Sequence, residues 1–105
     1  MASFTTRVQL DGNPPEGEYE ALHAEMRKAG FTRFIQDSSD KKWYRLPHAE
    51  YNRIGELTRK QVLDSAIAAT KAAVPLRKRK ILVTESNGRS WDGLDEVTVE
   101  TVRNG

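Results

Sequence analysis

The chain has 105 residues, a formal net charge of +2, 37% hydrophobic and 30% charged side chains, and no cysteine. This length predicts one domain with a modest core, the mixed composition excludes a disordered chain, and disulfide and thiolate chemistry are ruled out. The opening MASFTTRVQLDG lacks the charged start and apolar run of a secretion signal, and no stretch approaches the ~20 apolar residues that span a bilayer, so a cytoplasmic protein with no membrane contact is expected.

Phe4, Thr6, Val8 and Leu10 alternate with Thr5, Arg7 and Gln9, the period of a half-buried strand. Asp11-Gly12-Asn13-Pro14-Pro15 ends it with consecutive turn formers. From Glu16 the period becomes helical, and Tyr19, Leu22, Met26 and Ala29 share a face with His23 at its border. Glu16, Glu18 and Glu20 near the start and Arg27 and Lys28 near the end suit the helix dipole. Gly30 is a natural left-handed stop and Phe31 can fold back over the last turn, so a helix is predicted over 16–29.

A second strand is predicted from Thr32 to Asp37, with Phe34 and Ile35 on opposite faces, followed by a hairpin loop at Ser38-Ser39-Asp40-Lys41. Trp43 to Leu46 is the return strand, rich in residues that suit a pleated surface, and Pro47 ends it or places it at a sheet edge. His48 to Glu56 reads as an irregular edge strand in preference to a loop. Next comes the strongest helix signal, predicted over 58–73. Thr58 and Gln61 have capping-box spacing, and Val62, Leu63, Ala66, Ile67, Ala69, Thr70 and Ala73 form the apolar face. Pro75 stops the helix.

Lys80 to Glu85 is a further strand. Its run Ile81-Leu82-Val83 predicts burial on both faces, or on one face with a dimer contact on the other. Asn87-Gly88 begins a turn. Val97 and Val99, with Trp91 and Leu94, suggest a final short strand or docked extension, and Thr101 to Gly105 a frayed end.

The order strand, helix, strand, strand, helix, strand predicts an α+β fold. Its expected form is a ferredoxin-like βαββαβ sandwich, with two helices on one face of a four-stranded antiparallel sheet, over residues 1–85. Residues 86–105 form a short C-terminal extension. The bare sheet face is expected to carry Thr5, Arg7, Gln9 and part of the Trp43–Leu46 strand. From Glu85 onward five acids stand against two bases, a charge of −3, which leaves a body of +5. A mildly basic body permits contact with a polyanion.

Two histidines without cysteine or HExxH spacing do not assemble a zinc site, and there is no phosphate-cradling glycine loop or GxSxG elbow. Asp11, at the end of the first strand, reads either as a ligand for Mg2+, a hard cation that selects oxygen, or as turn chemistry before Gly12. His48 and Glu50 can share acid–base work on an RNA 2′-hydroxyl or serve as surface polar residues. His23 reads as a partly buried, hydrogen-bonded histidine. Arg77-Lys78-Arg79-Lys80 is the only basic run, able to contact phosphates or to lie solvated. Arg33 and Arg45 near Trp43 and Tyr44 provide the charge and stacking surface that single-stranded RNA requires.

The strand ending in Asp11, the Ala29-Gly30-Phe31 helix exit, the Leu46-Pro47 hairpin return and the Ala-rich second helix together resemble the GhoS family of type V antitoxins. That resemblance, over residues 4 to 85, implies the ferredoxin-like fold shared with small CRISPR-associated proteins, and endoribonuclease cleavage of a toxin message. Asp11 matches the aspartate that those CRISPR-associated proteins carry after their first strand; no other catalytic residue is matched. The expected function is therefore RNA binding with or without cleavage, with catalytic candidates Asp11, His48 and Glu50. The alternative is a non-catalytic interaction module that binds a protein partner through a sheet edge or forms a homodimer.

Overall fold

The computed structural model describes residues 2–105. Its elements are β1 (Ala2–Leu10), α1 (Glu16–Lys28), β2 (Phe34–Gln36), β3 (Trp43–Arg45), β4 (Glu50–Gly55), α2 (Arg59–Ala73), β5 (Arg79–Glu85), β6 (Glu96–Val97) and α3 (Val99–Asn104). The strands form two three-stranded antiparallel sheets, ordered β4-β1-β5 and β2-β3-β6.

β1 is central in the larger sheet. Phe4, Thr6, Val8 and Leu10 are buried on one face while Arg7 and Gln9 are exposed on the other, as the alternation predicts. Leu22 and Met26 of α1 and Val62, Ala66 and Ala69 of α2 join Phe4, Val8, Leu10 and Tyr51 in one core. The ends of both helices follow local chemistry. Thr58 Oγ1 accepts from Gln61 N (3.1 Å) while Thr58 N donates to Gln61 Oε1 (2.9 Å), closing the capping box. Past α1, Gly30 has φ +93°, and Gly30 N and Phe31 N donate to the carbonyls of Arg27 and Met26, both at 3.0 Å. That is a Schellman stop, and it favours glycine.

The single four-stranded ferredoxin-like sheet is overturned. The fourth position holds one bridge, in which Thr32 and Asn52 exchange backbone hydrogen bonds of 2.8 and 2.7 Å. Beyond it the chain leaves to build the second sheet. Burial gives the physical reason: Phe34 and Ile35 point to opposite faces, yet they are only 2% and 3% exposed. An edge strand on the larger sheet would have left one of them in water. Residues after Glu85 cover both, with Phe34 near Gly105 and Ile35 beside Arg89 and Trp91.

Three further expectations are corrected. Of the two readings of β5, burial on both faces is overturned: it is an edge strand whose Ile81 and Val83 pack on the core, while Leu82 is 65% exposed. The segment Thr101 to Gly105, expected to fray, belongs largely to α3, whose N-cap Thr98 accepts from Thr101 N at 3.1 Å. The outer sheet face is partly covered. Arg89 donates from Nε to Thr5 Oγ1 (3.0 Å) and from Nη2 to Asn52 Oδ1 (2.7 Å) and the Phe4 carbonyl (3.3 Å), pinning the C-terminal segment across it. No helix among the described residues is long and apolar enough to cross a membrane.

Candidate functional site

The turn into β4 positions the first group of side chains. Ala49 adopts φ +59°, an uncommon state for a residue with a Cβ, held because its carbonyl accepts from Val8 N at 3.0 Å. The turn brings the His48 ring edge-on to Tyr19, with centroids 4.4 Å apart, and 5.9 Å from His23. Tyr19 and His23 lie four residues apart on α1, so both face β4. His23 Nδ1 and Tyr51 Oη share a hydrogen bond of 2.6 Å.

Burial sets the protonation of that pair. Desolvation, reinforced by the charges of Arg33 and His48, lowers the His23 pKa to about 4. Desolvation raises the Tyr51 pKa above its ordinary value, with Arg33 opposing. At neutral pH a neutral imidazole therefore faces a protonated phenol. With Tyr51 donating, His23 carries its hydrogen on Nε2.

Beside this cluster lies a cleft of about 420 Å³ whose polar lining includes Arg33, Arg45, His48 and Asp95. Two backbone hydrogen bonds join the segments that line it: Leu46 N donates to the Arg33 carbonyl (2.7 Å) and Arg45 N to the Asp95 carbonyl (2.9 Å). The Arg45 guanidinium lies 5.9 Å from the Phe34 ring centroid. Its Nε is buried without a hydrogen-bond partner. Neither arginine side chain forms an ion pair among the described residues. The cleft thus presents two cations, an imidazole and one acid.

The other sequence candidates are dispersed. His48 lines the arginine cleft, Glu50 a neighbouring cleft beyond Pro47, and Asp11 a third beside Lys78, Arg79 and Lys80. Lys80 Nζ sits 3.1 Å from the Asp11 carboxylate. Among the described residues no cluster of three or more His, Cys, Asp or Glu side chains can hold a metal ion. A lone carboxylate already facing an ammonium does not fit Mg2+ within one chain. Arg77 ties loops together: it forks onto Glu18 (2.8 and 2.7 Å) and donates to the carbonyls of Asp11 and Gly12 (both 3.2 Å). This bidentate pair holds the Glu18 carboxyl below its usual range. Tyr44 donates to Asp40 (3.0 Å) and packs on Trp91 at 5.5 Å, while Trp43 pairs with Val97.

Family models, curated proteins and solved structures give no match to this chain. The GhoS resemblance therefore stands on its short motifs alone, and the geometry carries the functional argument. The sequence gives no signal for Arg89 and marks Trp91 only as part of a docked extension, because both lie in a segment without periodicity. It also misses the joining of Tyr19 to His48; the spacing of Tyr19 and His23 is the one available signal.

Proposed function

We propose that the protein binds single-stranded RNA, with a phosphate seated in the cleft between Arg33 and Arg45 and a neighbouring group against His48. The observation that supports this reading most is that Arg33 and Arg45, neither of them in an ion pair among the described residues, line one cleft. Two arginines in one cleft favour an anion there, and arginine matches phosphate geometry through its planar fork. The reading is binding and not cleavage, because Asp11 lines a cleft apart from those of His48 and Glu50 and already faces Lys80.

Fluorescence anisotropy with a short single-stranded RNA at two salt concentrations tests it. Affinity should fall steeply with salt, and Arg33→Gln should weaken binding about tenfold, lowering the salt slope by about 0.7 for one lost phosphate contact. An affinity untouched by Arg33→Gln, or no binding at low salt, overturns the reading. A second reading, a homodimer or protein-interaction module, rests on β5, whose outer edge pairs with no strand among the described residues and which carries the exposed Leu82. A doubled mass in sedimentation, lost in Leu82→Lys, would support it.

A further inference from the structure

The cleft beyond Pro47 holds about 380 Å³, within the range of small-molecule sites. It lies between the outer face of the larger sheet and the C-terminal segment. Leu46, Ile35, Leu94 and Trp91 supply apolar walls, and Glu50, Asp92 and Arg89 are the charged groups of the lining. Trp91 is half-buried, with the Tyr44 ring tilted against it at 5.5 Å, and its indole offers an aromatic surface to the cleft. Arg89 spends Nε and Nη2 on Thr5, Phe4 and Asn52, and its Nη1 has no hydrogen bond among the described residues. The Glu50 carboxylate is half-buried and likewise makes no ion pair or hydrogen bond among them, although Arg7 stands opposite it in the sheet register. One cleft therefore carries an aromatic side chain, two carboxylates (Glu50 and Asp92) and an arginine with one nitrogen unbonded among the described residues.

Leu46, Pro47 and Leu94 line both this cleft and the arginine cleft, so the two adjoin across a shared apolar wall. We propose that the Trp91 cleft is a nucleobase site selective for guanine, with the base stacked against Trp91 and read by Glu50 and Arg89. Stacking on an aromatic ring suits any base; the polar pair selects among them. Guanine places two donors, N1–H and the N2 amino group, side by side on one edge, matching the two oxygens of a carboxylate. It also offers O6 and N7 as acceptors for an arginine. Adenine lacks that adjacent pair of donors. This proposal rests on the RNA-binding reading for the role of the neighbouring phosphate, but the base site is testable without any phosphate.

The test uses Trp91 fluorescence in the full chain carrying Trp43→Phe, titrated in parallel with guanosine, adenosine, guanosine monophosphate and inorganic phosphate. Guanosine should quench Trp91 saturably, adenosine about tenfold more weakly, and Glu50→Gln should cost guanosine about tenfold while leaving the melting temperature in place. The monophosphate should bind more tightly than guanosine, and Arg33→Gln should remove only that advantage. No quenching by guanosine, with RNA binding intact in the anisotropy assay, overturns the base site and leaves the RNA reading standing. Guanosine binding with no gain from the phosphate, and no RNA binding, supports the base site and overturns the RNA reading. Equal affinity for adenosine and guanosine overturns the selection by Glu50.

Discussion

His23 behaves as a neutral residue because of where it sits. Its ring is wedged between α1 and β4, hydrogen-bonded to Tyr51, edge-on to His48 and within the field of Arg33. A folded pKa of about 4 against an ordinary 6.5 means that the unfolded chain takes up a proton which the folded one refuses. Stability contributed by this residue is thus complete above pH 6.5 and is lost as the pH falls from there to about 4. The melting temperature is expected to decline across that interval, and His23→Phe should flatten the decline. An NMR titration of the imidazole signals should show one histidine neutral until about pH 4. A His23 midpoint near 6.5 would contradict the buried cluster. Glu18 and Asp37, both held below their ordinary values by hydrogen bonds, add their own losses lower, below about pH 4.5.

Among the elements, α2 depends on its first turn. It has no acid there to meet the helix dipole, so the free N–H groups rely on Thr58 and Gln61. Thr58→Ala removes the acceptor for Gln61 N and is expected to cost about 1 kcal/mol, read as a shift of the urea midpoint at unchanged slope. No shift would mean that the turn frays without consequence. α1 shows the complementary case, because Pro15 supplies no side-chain cap and the Arg77 fork onto Glu18 anchors its first turn from outside. In β4, sequence preference and structure agree on a strand but not on its quality. Six residue pairs with β1 make it regular, although Pro47, His48 and the polar residues around them suggested an irregular edge.

In the whole molecule, the C-terminal segment closes the fold. It adds β6 to the second sheet, covers Phe34 and Ile35, and places Arg89 across β1 and β4. Removing it would expose two large apolar side chains and leave Asn52, only 5% exposed, without the donor that satisfies its side-chain oxygen. A chain cut after Glu85 is therefore expected to bind the dye ANS and to melt lower and less cooperatively than the full chain. Full retention of the melting temperature would show that residues 86–105 are dispensable. Arg89→Leu should reproduce part of the loss by releasing the segment without shortening it.

The sequence by itself determined what depends on near neighbours. Thr58 and Gln61 announce a helix start three residues apart, Gly30 and Phe31 announce a stop, and the alternation of Phe4 to Leu10 announces a strand with one wet face. These signals lie within a few residues of one another, so composition and spacing carry them. Which edges of a sheet are occupied is a different kind of question, because it depends on competition between distant segments. Thr32 reaches β4 for one bridge, but Phe34 and Ile35 gain more by burying both faces under residues some fifty positions or more further on. The apolar run of β5 looks interior, yet nothing among the described residues pairs its outer edge. The clefts follow the same logic: Arg33 and Arg45 meet Asp95, and Glu50 meets Arg89 and Trp91, only because the C-terminal segment folds back over the sheet. Tertiary structure decided these contacts, since burial is shared across the whole chain and a local pattern records only one side of each contact.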